Sequence, residues 1–457
     1  MVDVRGNHAL NLTIGSLWAN IWQISWPMFL IMILNFLVGF ADIYVAGFIG
    51  PDVQAAVGFV SQLYFFIIII ANAISIGTLA LVSRAVGAGH AGKALEISRQ
   101  SLIFSVLVAI GLSAFGLVFR REIIAVAGFP GEIRLIAETF LKIFALALGP
   151  SYLVIISNAV FRAAGEVKKP LVTMLLVSVL NIIGDFVLVL GISPFPKMGY
   201  TGIALSTAVS VTAGMAINLI FLTMGWWRPF YKGPWRVSIE AVGKVIRLGW
   251  PAGLLQIAWN AGTIILYNIL SRLGEASITA MAAITNGLRI EAVIYLPAFA
   301  LNMTASVLIG QNLGAGNPGR AEKVGWKMAQ VGVLLMSLMA FVIFLWADRF
   351  ASVLTSSEGV LAETARYLRF NMLSEPFMAL STVLGGGLQG AGDTRGTMWV
   401  IIIAMWFIRL PLAYFLALKL HYGAMGVWIA MITSMAFQGI LMTIRFSRGG
   451  WKELKVE

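Results

Sequence analysis

The sequence predicts an all-α integral membrane protein, with twelve transmembrane helices in two pseudo-symmetric six-helix bundles. Three observations predict it: a composition suited to lipid, twelve long apolar runs, and an internal repeat offset by about half the chain. Of 457 residues, 59% are hydrophobic and only 11% are charged. A water-facing domain keeps about a quarter of its residues charged. The 47 glycines suit helices that pack closely through small residues.

The apolar runs fall at 21–48, 54–84, 97–120, 135–162, 170–191, 201–226, 244–272, 278–312, 326–346, 361–389, 397–418 and 423–445. Each matches the roughly 20 residues needed to cross a bilayer as a helix. None shows the alternation of apolar and polar residues that marks a membrane β-barrel strand. The connections carry turn residues, as in Gly50-Pro51-Asp52, Gly128-Phe129-Pro130-Gly131, Pro194-Phe195-Pro196 and Gly316-Asn317-Pro318-Gly319. Residues 1–20 are mildly polar and the first apolar run is too long for a signal h-region, so no cleavable signal peptide is expected.

Lysine and arginine set the orientation. Arg84, Lys93 and Arg99, then Arg162, Lys168 and Lys169, then the cluster from Arg228 to Arg247 all fall on one side. Arg320, Lys323, Lys327, Arg395 and the residues from Arg445 to Lys455 continue it. With Arg5, about twenty basic residues lie on this side against about ten opposite, which marks it as cytoplasmic. The expected place is the cell membrane, with both termini on its cytoplasmic side. The net charge of +12 is accounted for in this way, and no nucleic acid partner is expected. With no cysteine, disulfides and thiolate metal sites are excluded, and His8, His90 and His421 lie too far apart to suggest a metal site.

The chain repeats itself. VSRAVGAGHAGKA at Val82–Ala94 recurs as IGQNLGAGNPGRA at Ile309–Ala321, 227 residues later. FRAAGEVKKP at Phe161–Pro170 recurs as LQGAGDTRGT at Leu388–Thr397 at the same offset, and Trp26-Pro27 recurs as Trp250-Pro251. Six helices per half is an even number, so the halves share one orientation and are related by an axis along the membrane normal, as in some secondary transporters. The expected organisation is an N-terminal lobe over 1–225, a cytoplasmic linker over 226–243 and a C-terminal lobe over 244–457. A cavity between the lobes, opened alternately to each side, is the mechanical expectation.

Three familiar motifs fail on context. GAGHAGKA at Gly87–Ala94 is close to a phosphate-binding loop, but Ala94 stands where a Mg²⁺-binding Ser or Thr is needed. The same glycines satisfy G-x-G-x-x-G, yet they follow a membrane helix and are repeated at Gly314, Gly316 and Gly319, which reads as a duplicated turn. Gly390-Ala391-Gly392-Asp393 resembles an intramembrane protease signature, but its repeat mate carries Glu166, so each acid reads as a turn or cap residue. No nucleotide-driven or hydrolytic machinery remains. The chain is therefore expected to be no enzyme, to need no cofactor, and to move its substrate with an ion gradient.

Ionisable groups inside hydrocarbon are costly and are functional candidates by default. Asp42 lies in the first helix about 8 residues, or ~12 Å of rise, from the outer turn, and Asp185 lies about 6 residues, or ~9 Å, from the outer end of the fifth. Their repeat positions hold Leu266 and Leu412, so only the first half keeps the acids. Asn181, four before Asp185, and Asn35, seven before Asp42, share faces with them. Asn158, Thr207 and Thr201 are further candidates to line this lobe. Carboxylates among Asn and Thr oxygens suit Na⁺, or form a proton site. Glu138 and Lys142, four apart, read as a local ion pair. Arg289 and Glu291 are two apart and face different ways, so one of them is a candidate to line a C-lobe cavity. Glu375-Pro376 and Arg409 read as structural.

These residues resemble the multidrug and toxic compound extrusion (MATE) family. The resemblance rests on the VSRAVGAG and IGQNLGAG segments, the FRAAGE and LQGAGDT turns, and NGLRIEAVIYLPAFAL, and it covers essentially the whole chain. Asp42 with Asn181 and Asp185 is most similar to the DinF-type branch, which implies that these residues hold the coupling cation, H⁺ or Na⁺. Pro27 matches a proline at which that branch bends its first helix. The resemblance implies a monomer that exports organic cations or other amphipathic compounds. A lipid or lipid-linked oligosaccharide flippase of the same superfamily is the alternative. The NorM-type branch carries acids in its seventh and tenth helices; here those helices offer Trp259-Asn260 and Gly385-Gly386-Gly387, which argues against a C-lobe cation site of that type.

Overall fold

The computed structural model describes residues 12–454; Arg5, His8 and Lys455 lie outside the described residues. The spans form where the apolar runs predict them. They are α1 (Leu17–Ile49), α2 (Pro51–Gly87), α3 (Ala91–Val118), α4 (Gly131–Ala163), α5 (Lys168–Leu190) and α6 (Tyr200–Phe221) in the first half. The second half has α7 (Ile239–Ser271), α8 (Ser277–Gly314) and α9 (Pro318–Leu345). The tenth crossing is broken into α10 (Glu358–Met372) and α11 (Glu375–Gly390), followed by α12 (Thr394–Lys419) and α13 (Gly423–Ser447). The break has a direct cause. Pro376 has no N–H and its ring clashes with the carbonyl four residues back, so the run predicted as one helix over 361–389 changes direction there.

The chain folds as two compact units. One is built on Trp26–Trp250, and the other joins Gly15–Ser25 to the chain from Pro251 onward. The boundary falls at Trp26 in α1 and at Trp250 in α7, the two positions of the repeated Trp-Pro pair. Each unit thus contains the basic-loop end of the helix that opens the other half. In the first unit Gly249 of α7 and Gly77 of α2 make this contact at backbone distance. A Cβ on Gly249 would sit 2.3 Å from the Ala73 carbonyl oxygen, and one on Gly77 2.2 Å from that of Val245.

Within the first unit, α4 packs against α2, α3 and α6, and α5 pairs with α6. A buried cluster around Val57, Val60, Phe140, Phe144 and Ile203 fills its core. The segment after α6 folds back onto this unit as a 3₁₀ turn over Gly225–Lys232. Trp226 and Trp227 are buried there and donate their indole N–H groups to Glu166, and Arg99 Nε donates to the Phe230 carbonyl at 2.9 Å.

The second unit centres on α8 and α11, which approach at Gly386 and Gly390. A Cβ on either would lie 2.3 Å or less from the carbonyl oxygen of Asn302 or Ser306. Its core includes Leu266, Met336, Leu368 and Val427, with the Tyr367 and Trp428 rings meeting edge to face at 4.7 Å. Asp393, read as a turn acid, caps the start of α12 by accepting from the Gly396 N–H at 3.2 Å. It also receives both arms of Arg445, at 2.6 and 2.7 Å. The expected Glu138–Lys142 pair is not formed. Glu138 pairs with Arg134 at 2.9 Å, one turn in the other direction, and Lys142 is exposed. The planar guanidinium offers directed donors that an ammonium lacks.

Candidate functional site

The two intramembrane aspartates of the first unit meet. Asp185 and Asn181 project from one face of α5 and are completely buried. Asp42 of α1 is half-buried, and its carboxyl faces both the Asp185 carboxyl and the Asn181 amide. The four-residue spacing of Asn181 and Asp185 places them one turn apart, so a single approach of α1 reaches both.

Helix α6 supplies the rest of the site. Ser206 donates to Asp185 Oδ1, and the Asn181 amide donates to Thr207 Oγ1 at 3.1 Å. Ser206 was not singled out from the sequence, although a signal exists. Gly202, Ser206, Ser210 and Gly214 recur every fourth residue, a small-residue stripe that lets a partner helix come close. The partner is α5: a Cβ on Gly184, next to Asp185, would lie 2.8 Å from Ser206 Cβ. The close approach that allows the helices to pack therefore also brings the hydroxyl to the carboxylate.

Three acceptor oxygens here are left without a hydrogen-bond partner: Asp42 Oδ1, Asn181 Oδ1 and Asp185 Oδ2. Buried polar atoms are nearly always satisfied, and a group of orphans calls for an explanation. All three are hard oxygen acceptors, on two carboxyls and one amide. Such a set suits a proton or an alkali cation, which needs oxygen ligands and only partial charge compensation. Among the described residues, no three His, Cys, Asp or Glu side chains gather as a multivalent metal site would require.

The other sequence candidates are placed separately. Asn35 is exposed, and its amide is taken by the Ile31 carbonyl at 2.8 Å. Asn158 is buried and accepts from Asn218 at 3.0 Å, in a network with Ser157 and Thr173. Thr201 is half-buried at the first turn of α6. Pro27 lies within α1, at the change of unit. In the second unit, Arg289 is exposed while Glu291 is buried, as their spacing on one helix requires. Glu291 Oε2 accepts from Tyr295 at 2.8 Å, and Glu375 and Arg409 are buried in the same region of α8, α11 and α12.

Comparison with known proteins fits this arrangement. The MatE family model matches residues 27–187 and 251–415, most of both halves. The "Probable multidrug resistance protein NorM" of Thermotoga maritima is 26% identical over 93% of this chain and 91% of its own. The uncharacterized transporter YisQ of Bacillus subtilis is 23% identical over 94% of each chain. Among solved structures, a MOP superfamily transporter from Pyrococcus furiosus superposes with a TM-score of 0.86 at 20% identity, covering 98% of this chain and 99% of the other. A MATE structure in a bent conformation also scores 0.86 at 20% identity, over 97% of this chain and 98% of the other. The same MATE fold in a straight conformation gives 0.86, again at 20% identity, over 97% and 99%.

Proposed function

The chain belongs to the MatE family, and from that premise we propose that it is a secondary active exporter of amphipathic small molecules, exchanging them for H⁺ or Na⁺. The observation that carries this reading is the set of unpartnered oxygens on Asp42, Asn181 and Asp185. Two carboxyls facing each other inside the hydrocarbon repel when both are charged, and a bound cation removes that repulsion. The cation therefore draws Asp42 on α1 and Asp185 on α5 together, while its release lets them separate.

Helix α1 is suited to respond. Only 22% of its most apolar stretch is buried, against 56% for α2, so few contacts hold it in place. Pro27 interrupts its hydrogen bonding about 15 residues, or ~22 Å, from Asp42, which gives a site for bending. Alternating access follows if the loaded and empty states favour different bends. The basic loops then face the cytoplasm of the cell, with both termini inside. By linkage, a cation that weakens drug binding is itself weakened by the drug to the same factor.

The test is efflux from proteoliposomes under separately imposed pH and Na⁺ gradients. The unmutated protein should expel a cationic dye faster under one gradient. Asp42→Asn and Asp185→Asn should lose at least tenfold of that acceleration, since each removes a charge that the cation must compensate. Dye export at the unmutated rate by either variant would overturn the mechanism. The gradient that drives the unmutated protein identifies the ion.

A further inference from the structure

The segment that follows α6 is a folded platform of the first unit, and the exchange of cation for drug makes no use of it. Over Gly225–Lys232 it winds with three residues per turn, so side chains three apart share a face. Trp227 and Phe230 form a buried row, and Arg228 and Tyr231 form an exposed one. Beyond this turn, two residues of α3 tie the platform down. The Arg99 guanidinium fills the space that Gly233 leaves open, where a Cβ would lie 2.0 Å from Nη2. Gln100 donates to the Arg236 carbonyl at 2.7 Å and accepts from the Ser238 N–H at 2.8 Å. The Tyr231 hydroxyl donates to the Leu219 carbonyl at 2.9 Å, in the last turn of α6. Its ring therefore rests against the end of a spanning helix, at the level of the bilayer surface.

Two kinds of side chain stay exposed on this platform. The first is apolar: Trp235 is 50% exposed, Val237 51%, and Ile239, the first residue of α7, 86%. The Tyr231 and Trp235 ring centroids lie 6.1 Å apart with the planes 31° from parallel, which makes one aromatic surface. The second kind is cationic: Arg228, Lys232 and Arg236 are all exposed. The acids around them are engaged elsewhere. Glu166 takes Lys169 at 2.6 Å and the two buried indoles, and Glu240 takes Lys244 at 2.8 Å. Among the described residues, none of the three cations pairs with an acid. Water disfavours the apolar group and hydrocarbon disfavours the cations, so only a surface that offers acyl chains beside negative charge suits both. Tyrosine and tryptophan gather at the headgroup level of a bilayer, and basic clusters beside spanning helices attract acidic lipid.

We propose that this platform docks an anionic glycerophospholipid of the leaflet that the basic loops face. Arg228, Lys232 and Arg236 hold the headgroup phosphate, and Tyr231 and Trp235 lie against the upper part of the acyl chains. Charge complementarity selects this occupant. A zwitterionic lipid carries its own ammonium, which competes with the three side chains for the phosphate. Free phosphate matches the cations but leaves Trp235 and Ile239 in water. Each Lys or Arg near an anionic membrane surface strengthens attachment roughly fivefold, so three together favour the anionic lipid on the order of 100-fold at low salt. The ties to α3 and α6 make the platform rigid, so its residues are ordered before the lipid arrives and little conformational freedom is lost on binding. A bound lipid then holds the loop end of the first unit at a fixed depth in the bilayer.

The test measures binding and needs no transport. The full-length chain in an uncharged detergent at low salt is titrated with dioctanoyl phosphatidylglycerol, dioctanoyl phosphatidylcholine or inorganic phosphate, and thermal unfolding is followed by tryptophan fluorescence. Phosphatidylglycerol should raise Tm saturably, while the other two should need at least about tenfold more or have no effect. The triple variant Arg228→Gln, Lys232→Gln, Arg236→Gln should weaken the response to phosphatidylglycerol at least about tenfold. Arg228→Lys with Arg236→Lys should keep it, since the charge is retained. Trp235→Ala should weaken it without making it more sensitive to salt. In the unmutated chain, phosphatidylglycerol should slow tryptic cleavage after Lys232 and Arg236 and phosphatidylcholine should not, which answers the case in which a substitution prevents folding. The proposal is overturned if phosphatidylcholine or inorganic phosphate matches phosphatidylglycerol, if the triple variant responds as its parent does, or if cleavage is indifferent to the anionic lipid. An acidic protein as the true partner would appear as the last of these.

Discussion

The two halves of the chain share a backbone plan and place their buried charge on different parts of it. In the first unit the acids lie on α1 and α5, with hydroxyls from α6. In the second they lie on α8 and α11, with a guanidinium from α12. The exchange is reciprocal. Where the first unit has Asp42 and Asp185, the second has Leu266, 2% exposed in its core, and Leu412 packed against that core. Where the second unit has Glu291, the position 227 residues earlier is Tyr64, a neutral residue bonded to Ser151 at 2.6 Å. What the repeat preserves is the set of turns and close helix approaches that fold each unit. What it leaves free is which gap between helices holds polar chemistry.

The sharpest way to break this comparison is to give the second unit the first unit's charge. Leu266→Asp copies Asp42 onto its repeat position, where Leu266 is packed in the core and lines the cavity that Glu291, Asn371 and Arg409 also line. A carboxyl placed there should cost roughly 3 kcal/mol in stability, through lost core packing and a further acid placed on the cavity that Glu291 already lines. Thermal unfolding in detergent, followed by tryptophan fluorescence, should show a fall of several degrees in Tm relative to the unmutated chain. A variant as stable as its parent would mean that Arg409 and the other polar side chains of the cavity satisfy the new carboxyl, and that the second unit accepts an acid at this depth as the first does.

A smaller effect tests how the first unit holds its acid. Ser206→Ala deletes the hydroxyl that donates to Asp185 Oδ1 but leaves the close α5–α6 contact in place. A hydrogen bond to a charged group contributes roughly 1.5–3 kcal/mol, and some of this is recovered when water replaces the hydroxyl. A shift of about 1 kcal/mol in the cation affinity of the Asp42–Asp185 pair is expected, roughly fivefold, with the maximal efflux rate under a saturating gradient nearly unchanged. The measurement is the concentration of driving ion that gives half-maximal dye efflux. Loss of all gradient response would instead make Ser206 a direct ligand of the cation.

Much of this arrangement was legible in the sequence, and the rest was hidden for identifiable reasons. The twelve spans follow from apolar length, which the bilayer enforces directly. Asp42, Asn181 and Asp185 stood out because a charge in hydrocarbon is rare and four-residue spacing fixes a shared face. Ser206 did not stand out, since a serine in a small-residue stripe serves packing as well as it serves an acid. The Glu291 cluster was seen only in fragments. Its members, Glu291, Asn371, Glu375 and Arg409, come from four helices far apart in sequence, and only the break at Pro376 and the π-helical turns over Ile403–Arg409 bring them together. The expected Glu138–Lys142 pair failed for a related reason, because Arg134 also lies one turn from Glu138 and spacing alone does not choose between the two cations. Asp393 was read as a cap from its repeat mate, and its two-armed bond with Arg445 depends on a long-range approach of α13 that no local pattern announces.

The smallest expected effect concerns Tyr64, which occupies the place of Glu291 in the first unit. Its hydroxyl donates to Ser151 Oγ, Ser151 donates onward to the Ala147 carbonyl at 2.8 Å, and the Tyr64 ring packs 5.0 Å from that of Phe144. Nothing ionised touches this chain of bonds, and Ser151 keeps its own acceptor if the tyrosine hydroxyl is removed. Tyr64→Phe should therefore lose one neutral hydrogen bond, about 1 kcal/mol, and keep the ring contact. Thermal unfolding should register a small drop, while dye efflux should keep its rate and its dependence on the driving ion. If Tyr64→Phe altered ion dependence as strongly as Asp185→Asn does, the α2–α4 gap would belong to the coupling site, and the division of polar roles between the two units would have to be redrawn.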